Sequence, residues 1–265
     1  MSDAPSVGRL FVHPIKSLDR VAVSEAIVLP AGGLQHDREF ALFDPNGRWI
    51  NGKRDPRIHL IRSDYDLARL IVTLKSLEAP HPQTFHLVEQ RHELEEWFSD
   101  HFGFRVHIER NHETGFPDDL ESPGPTIVGS ATLRDVGSWF DIDDLDETGR
   151  RFRANIEIEI PVPFWEDQLF GEDGQVVEFR IGDVMMHGVN PCQRCVVPSR
   201  DSQIGVEHKD FQRVFAARRA ATLPAWAPAA RFNHHYRLSV NTRIPASEAG
   251  KTIHVGDAVQ KTGNH

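Results

Sequence analysis

The two cysteines of this chain, Cys192 and Cys195, are the residues with the clearest capacity for chemistry. They are its only cysteines in 265 residues, and Arg194 lies between them in the stretch Pro191-Cys192-Gln193-Arg194-Cys195. A thiolate is a soft, nucleophilic metal ligand, and a neighbouring guanidinium stabilises it against the protonated thiol. The pattern therefore predicts a reactive or metal-binding cysteine, presented by a loop at the end of a strand at 184–188.

Three other interpretations of the cysteine pair remain open from the residues alone. A zinc site needs two further ligands, for which His187 and His208 are the nearest candidates. A thioredoxin-like redox pair needs a βαβ unit whose helix begins at the motif, and Pro198 disfavours such a helix. The third is a pair of structural cysteines, since free cysteine is among the most buried residue types.

Composition limits the class of protein. The chain has 39 acidic and 30 basic residues, a net charge of -9, which disfavours nucleic-acid binding because phosphate neutralisation needs a basic surface. No apolar run approaches the roughly 20 residues that span a bilayer, and no secretory signal is visible at the N-terminus. Two cysteines cannot form a disulfide framework, which favours a reducing cytoplasm, so the sequence predicts a soluble, cytoplasmic protein with no membrane span. The length of the chain permits one large domain or two modest ones.

The elements that must position the cysteines are mostly strands. Short apolar runs between turn residues predict strands at 7–12, 21–29, 40–43, 67–74 and 84–88. Further strands are predicted at 156–160, 176–179, 184–186, 237–240 and 252–259. Helical spacing predicts helices at 89–103, at 130–140 with Ser130 as a cap, and at 211–221. The loop at 111–125, rich in Gly, Pro, Asp and His, is the expected domain boundary.

Eight short motifs stand in collinear order from about residue 7 to 260. One is the cysteine stretch at 189–197, with Asp201 and Gly205 downstream. The others are His13-Pro14-Ile15-Lys16-Ser17, Gly33-Leu34-Gln35-His36-Asp37-Arg38, Arg54-Asp55-Pro56-Arg57, Ile127-Val128-Gly129-Ser130-Ala131-Thr132-Leu133, Phe152-Arg153-Ala154-Asn155-Ile156, Ile181-Gly182-Asp183 and His254-Val255-Gly256-Asp257-Ala258-Val259. Together they resemble the MOSC family (molybdenum cofactor sulfurase C-terminal), in particular the branch that contains the mitochondrial amidoxime-reducing component and its bacterial relatives, and the cysteine stretch resembles the cysteine loop of the MOSC domain.

The resemblance implies a mixed α+β, β-rich fold. An N-terminal β-barrel domain with a helix would occupy residues 1–110, and a MOSC β-barrel domain with peripheral helices would occupy residues 120–262. Two such domains would meet over a shared ligand pocket, which is a common place for a cofactor.

The resemblance also implies a molybdenum-dependent oxidoreductase that holds Mo-molybdopterin and reduces small N-hydroxylated compounds such as amidoximes and hydroxylamines. Pyridoxal phosphate binding is a weaker association of the family. Electrons would come from a separate donor protein, a reductase, ferredoxin or cytochrome, because the chain has no cysteine set for an iron–sulfur cluster and no dinucleotide fingerprint. The alternative is a cofactor carrier or sulfur-transfer protein, in which Cys195 holds the cofactor or a persulfide.

The family pattern assigns roles to individual residues. Cys195 corresponds to the metal ligand, whereas Cys192 matches a position that accepts other residues. Glu121 corresponds to the acidic catalytic residue near the metal, with the exact acid in the 118–125 loop left open. The residues expected to contact the cofactor are Lys16, Ser17, Arg38, Ser122, Arg153, Asn155 and Arg194. Arg153 and Asn155 are expected to point into one pocket from one face of a strand.

Overall fold

The computed structural model describes residues 4–77 and 79–262. Its strands are β1 (Ser6–Val12), β2 (Val21–Val23), β3 (Glu25–Ile27), β4 (Phe40–Phe43), β5 (Ile61–Asp66), β6 (Ile71–Ser76), β7 (Gln83–His86), β8 (His107–Arg110), β9 (Ile127–Gly129), β10 (Ile156–Glu159), β11 (Val177–Ile181), β12 (Val184–Gln193), β13 (Arg237–Arg243), β14 (Thr252–His254) and β15 (Val259–Lys261). Its α-helices are α1 (Arg91–Phe102), α2 (Ser130–Ser138), α3 (Leu145–Phe152) and α4 (Phe211–Ala221). Short 3₁₀ helices lie at Pro56–Leu60, Trp165–Leu169, Val197–Ser199, Ala229–Arg231 and Ala246–Glu248. The mixed α+β, β-rich class is confirmed.

An eight-stranded sheet forms the frame of the fold, in the order β15-β11-β12-β13-β9-β10-β1-β2. Strands β9 and β10 pair in parallel, with α2 and α3 in the connection between them, whereas the other pairs are antiparallel. Strands β1 and β2 come from the first part of the chain, so both parts share this sheet. The domain limits 1–110 and 120–262 stay predictions.

Three apolar cores support the frame. One lies on the large sheet and includes Val7, Ile156 and Phe179. A second packs α1 against the small sheets β5-β6-β7 and β4-β8, through Leu94 and Phe98. The third joins α2, α3 and α4. Phe140, just after α2, and Phe211, the first residue of α4, stack their rings there with 3.9 Å between the centroids.

Several element predictions need correction. The strand predicted at 67–74 corresponds to the turn of a hairpin and most of its second strand, β6. The first strand, β5, with the sequence IRSDYD, was not predicted because it has too few apolar residues to show a strand pattern. Helix α3 was also missed, because LDETGRRF has few apolar residues. Ser130 is the first residue of α2 and not its cap, which is Gly129. Strand β12 extends through Cys192, so the cysteine pair begins inside a strand and not in a loop.

One buried acidic pair lies under the sheet, away from the cavity described below. Glu166 and Asp167 belong to the 3₁₀ helix Trp165–Leu169, and both are buried. Asp167 pairs with the buried Arg219, whereas Glu166 accepts only one side-chain hydrogen bond, at 2.8 Å from the Thr132 hydroxyl, and its Oε1 is unpartnered. Burial and the neighbouring Asp167 carboxylate raise the pKa of Glu166 to about 7.

We expect Glu166→Gln to increase stability at pH 8 and to leave it nearly unchanged at pH 5. A carboxyl whose pKa is raised on folding favours the folded state below its unfolded pKa, and this contribution is lost as the pH rises through its folded pKa of about 7. Glutamine removes the ionisation, so the gain in the free energy of unfolding at pH 8 is on the order of 2 kcal/mol. Urea unfolding at the two pH values measures it. The exposed Glu89→Gln is the control, and an equal change in both variants would contradict the explanation.

Candidate functional site

A large cavity is lined by residues from both parts of the chain. Its volume is about 1020 Å³, which is at the upper end of the roughly 300–1,000 Å³ typical of ligand pockets. Of the residues predicted to form a site, it brings together Ser17, Arg38, Ser122, Arg153, Arg194 and Cys195. Lys16, Asn155 and Glu121 do not line it.

The lining of the cavity is strongly basic. Its acidic residues are Asp19, Asp118, Asp119 and Asp173. The basic residues from the first part of the chain are Arg20, Arg38, Lys53 and Arg62. Those from the second part are Arg150, Arg151, Arg153, Arg194, Arg200, Arg231 and Arg237. In a chain of net charge -9, such a concentration of guanidinium groups favours an anionic ligand.

The cysteine segment is held between β12 and β13. The backbone N–H of Arg194 donates to the carbonyl of Tyr236 at 3.1 Å, and the Tyr236 hydroxyl donates to the carbonyl of Cys195 at 3.0 Å. Both cysteines are free thiols, partly exposed, and line the cavity. The arginine between them lies on Cys192, with Nη1 at 3.1 Å from Sγ, and its Nη2 donates to the Phe152 carbonyl at 2.5 Å. The sulfur of Cys195 is therefore not the one that this guanidinium contacts.

Arg38 is fixed by its neighbours in the first part of the chain. Its guanidinium pairs with Asp37, and its Nη1 reaches Asn155 Oδ1 at 3.5 Å. Burial opposes the charged form, but the Asp37 and Asp118 carboxylates outweigh it and raise the pKa of Arg38. Asn155 is fully buried and also donates to the Phe11 carbonyl at 3.2 Å, so it orients Arg38 from behind the wall.

Arg153 differs from Arg38 because it has no ion-pair partner in the part of the chain that the structure describes. It lies at the C-terminus of α3, which it caps in the left-handed conformation at φ 56°. The prediction that it lies on a strand is therefore wrong. Burial and the nearby charge of Arg38 lower the pKa of Arg153 to about 10. The Asp19, Asp118 and Asp37 carboxylates offset part of this effect without forming an ion pair with Arg153, so this cavity-facing cation remains available to an anion.

Positive backbone φ values recur at this cavity. Ser17 has φ 74°, Arg38 has φ 52° and Arg153 has φ 56°. For residues with a β-carbon this region costs about 1 kcal/mol or more each, and such strain tends to concentrate at binding sites. The three residues were singled out from sequence motifs, and their shared backbone conformation is an independent observation.

The loop before β9 is attached to β13, which fixes its position over the cavity. The Thr242 hydroxyl donates to the Pro125 carbonyl at 2.7 Å, and Gly124 N–H donates to the Thr242 carbonyl at 3.0 Å. A β-carbon on Gly124 would lie 2.7 Å from that carbonyl oxygen, so only glycine permits the contact. This attachment fixes the position of the preceding residues, 117–123, most of which line the cavity.

Within this loop the acids divide into two groups. Glu121 points outward, with its side chain 90% exposed and its nearest cation, Arg243, at 3.9 Å. Asp118, Asp119 and Ser122 line the cavity, and the buried Ser122 hydroxyl has no partner. The surrounding protein disfavours the charged form of Asp118, but Lys16 and Arg38 lower its pKa to about 2, so it is ionised.

Lys16 lies behind this loop and not in the cavity. Its Nζ donates to the Phe116 carbonyl and to Asp118 Oδ1, both at 2.8 Å, and sits 4.3 Å from the Trp49 ring centroid. Its side chain is 4% exposed. The charge of Lys16 therefore positions Asp118.

Sequence reasoning missed most of the basic lining. Arg150 and Arg151 precede the Phe152-Arg153 motif directly, and their adjacency to it was the available signal. His59 was also missed: it lines the cavity, and burial together with the Arg153 charge lowers its pKa to about 4, so it is neutral. Nothing local in the sequence marks Arg231 and Arg237, because the fold alone brings them beside the cysteines.

The zinc interpretation finds no support among the described residues. No group of three or more His, Cys, Asp or Glu residues in 4–77 and 79–262 is arranged to hold a metal ion. His187 approaches Glu178 at 3.7 Å, and His208 is bonded to the Lys209 carbonyl at 2.8 Å. In the same ranges, none of the helices has the length and apolar character needed to cross a membrane.

Comparison with known proteins gives two family matches and a set of distant relatives. Residues 4–94 match the MOSC N-terminal beta barrel domain, and residues 130–260 match the MOSC domain. A molybdenum cofactor sulfurase of Drosophila mojavensis is 26% identical over 219 residues, covering 72% of this chain and 27% of that protein. The human molybdenum cofactor sulfurase is 24% identical over 262 residues, covering 80% of this chain and 28% of that protein. The chain thus spans less than a third of the length of these relatives.

Proposed function

Because the chain belongs to the MOSC family, with a MOSC N-terminal beta barrel domain followed by a MOSC domain, we propose that its cavity binds Mo-molybdopterin and that the loaded protein reduces N-hydroxylated compounds. The observation that supports this most is the basic cavity with the Cys195 thiol in its wall. Its volume of about 1020 Å³ leaves room for a substrate beside a cofactor.

The residues present fit the chemistry of this cofactor. A soft sulfur ligand suits the metal, and the Cys195 sulfur, unlike that of Cys192, is not contacted by Arg194. The unpaired Arg153, together with Arg38 and Ser17, suits the anionic phosphate of the pterin. The Ser122 hydroxyl is buried in the cavity wall and has no hydrogen-bond partner among the described residues, so a bound cofactor can supply one.

When bound, the cofactor supplies the two-electron redox chemistry, and the chain supplies binding and orientation. We assign the acid of the 118–125 loop to Asp119 in place of Glu121, because Asp119 lines the cavity and Glu121 does not. Asn241 Nδ2 lies 3.4 Å from Asp119 Oδ2 and donates to Asn190 Oδ1 at 3.0 Å, which ties this acid to β12 and β13.

A second candidate function is sulfur or cofactor transfer without turnover. Two observations favour it: the relatives that match are named molybdenum cofactor sulfurases, and a second thiol, Cys192, lies in the cavity against Arg194. A thiolate held by a guanidinium can accept sulfane sulfur from a persulfide, so the same wall could serve transfer.

Turnover with a chemical reductant separates the reductase function from the transfer function. We expect molybdenum-loaded protein to reduce benzamidoxime or a hydroxylamine with reduced methyl viologen, and not with NADH or NADPH alone. The reason is that these residues include no dinucleotide fingerprint and only two cysteines, too few for a four-cysteine iron–sulfur cluster. Product formation by chromatography is the measurement.

The controls use the same preparation. Direct stoichiometric oxidation of NADH would contradict the assignment of a separate donor protein. If molybdenum is bound and neither donor supports turnover, the reductase proposal fails and the transfer function is favoured. Cyanide-labile sulfur on the protein would then identify transfer.

A further inference from the structure

The end of the cavity next to Cys192 holds a group of arginines that the phosphate of a single cofactor does not account for. Strand register places Arg237, the first residue of β13, opposite Gln193, the last residue of β12. Arg231, from the 3₁₀ helix Ala229–Arg231, reaches the same stretch of β12, where its Nη2 donates to the Val189 carbonyl at 3.3 Å. Arg194 contacts the Cys192 sulfur at 3.1 Å and completes the group.

Arg237 is oriented by neutral partners only. Its Nη1 donates to the Pro191 carbonyl and its Nη2 to Asn233 Oδ1, each at 3.0 Å. Its Nε is buried without a partner, and no carboxylate forms an ion pair with it in the described part of the chain. The guanidinium is therefore held in place with its charge uncompensated.

The neighbouring cations, Arg194 and Arg231, are also held mainly by neutral carbonyl groups. Arg194 contacts the sulfur of Cys192 and leaves its own Nε buried and unpartnered. Arg231 is fixed by the carbonyls of Gly171 and Glu172, and its one ion pair among the described residues is a long contact of 4.0 Å to the fully exposed Asp173. Burial and the charge of Arg231 lower the pKa of Arg237, which means that the two cations repel each other. A bound anion would relieve this repulsion.

We propose that Arg237, with Arg194, forms a subsite for a carboxylate group of the substrate, beside Cys192. The inference rests on the proposed function for the identity of the ligand as a substrate, and it names the substrate class as N-hydroxylated compounds that bear a carboxylate. Arg38 and Arg153, assigned above to the phosphate of the cofactor, come from other parts of the cavity wall. Arg38 lies in the loop between β3 and β4, and Arg153 lies at the C-terminus of α3. A planar guanidinium matches a carboxylate with two parallel hydrogen bonds.

The first test needs no turnover and uses the carboxylate of the probe itself. The full chain is alkylated at Cys192 with iodoacetate or with neutral iodoacetamide, and peptide mass spectrometry reads each cysteine separately. We expect the ratio of the iodoacetate rate to the iodoacetamide rate to exceed that of free cysteine in the same buffer. Arg237→Gln is expected to lower this ratio about tenfold, and Arg237→Lys to restore part of it.

The exposed Arg69→Gln, whose side chain is 77% exposed, is the matched control and leaves the ratio unchanged. An equal ratio in the wild type and in Arg237→Gln overturns the subsite, whatever the activity of the protein. If Arg237→Gln lowers the pterin content, the cofactor's own phosphate occupies this place and the proposal is wrong.

The second test compares 4-carboxybenzamidoxime with benzamidoxime. Arg237→Gln is expected to lower kcat/KM about tenfold for the carboxylate and to leave the neutral compound unchanged, at equal molybdenum content. Equal losses for both compounds overturn the subsite. A wild-type protein that turns over neither compound contradicts the reductase function, while the alkylation ratio still decides whether the carboxylate subsite exists.

Discussion

Replacing Cys195 by serine is expected to remove molybdenum from the purified protein and to reduce its activity to background. A serine hydroxyl is a hard, weakly acidic ligand, whereas the metal of the proposed site prefers a soft thiolate. The fold should persist, because Cys195 is partly exposed and the segment is held through its backbone by Tyr236. Molybdenum content by elemental analysis and far-ultraviolet circular dichroism measure the two effects.

Cys192→Ser is the matched control, since it changes the same atom three residues away in the same wall of the cavity. We expect it to retain most of its molybdenum, because the Cys192 sulfur is already engaged by Arg194. Equal and complete loss in both variants would contradict a single thiolate ligand. It would indicate that the two cysteines act as a pair, as in a redox or zinc site.

Arg153→Gln is expected to lower the occupancy of the cofactor about tenfold or more and, at the same time, to leave the cofactor-free protein equally or more stable. The loss follows from removing a charge-assisted hydrogen bond to the phosphate, which is worth roughly 1.5–3 kcal/mol. The stability follows because, in the cofactor-free protein, burial and Arg38 disfavour the Arg153 cation, and no acid in the described part of the chain forms an ion pair with it. Glutamine keeps an unbranched side chain on the same left-handed backbone.

Pterin fluorescence after oxidation measures occupancy, and urea unfolding of cofactor-free protein measures stability. Arg213→Gln, on the exposed face of α4 with a side chain 73% exposed, is the control for the loss of a charge. A large loss of stability in Arg153→Gln would contradict the account, because it would make this arginine a structural residue. Unchanged pterin content would remove Arg153 from the site.

The motifs selected residues that the fold brings to one cavity, although their functional roles stay predictions. The local sequence around Ser17, Arg38, Arg153 and Cys195 was enough to select them, and all four line one cavity. Their backbone conformations could not be inferred in the same way. Arg153 was expected on a strand by alternation with Asn155, but α3 ends at it, and the helix was invisible because its apolar face consists of very few residues.

The loop at 111–125 shows why the acid could not be assigned from sequence. Four acids lie within residues 113–121, beyond the end of β8, and spacing alone does not say which of them faces inward. The attachment of Gly124 and Pro125 to Thr242 settles the direction of the chain, so that Asp118 and Asp119 face the cavity and Glu121 faces outward. Thr242 is more than 115 residues away in sequence, and only the fold brings it there.

Lys16 illustrates a different limit. Its motif marked it as a cofactor contact, but it is buried behind the wall, where it bonds to Phe116 and Asp118. A sequence motif identifies a residue that belongs to a site without saying whether the residue faces the ligand or supports one that does. Its role as a cofactor contact stays a prediction, and the structure favours a positioning role through Asp118.

The molybdenum-to-protein ratio of the purified chain tests the central claim most directly. The chain should be produced in a host that makes Mo-molybdopterin and loads a second, known molybdenum enzyme in the same cells. We predict a ratio close to stoichiometric for the wild type, falling to background in Cys195→Ser. A wild-type ratio at background, while the known enzyme is loaded, would contradict the binding of this cofactor in the basic cavity.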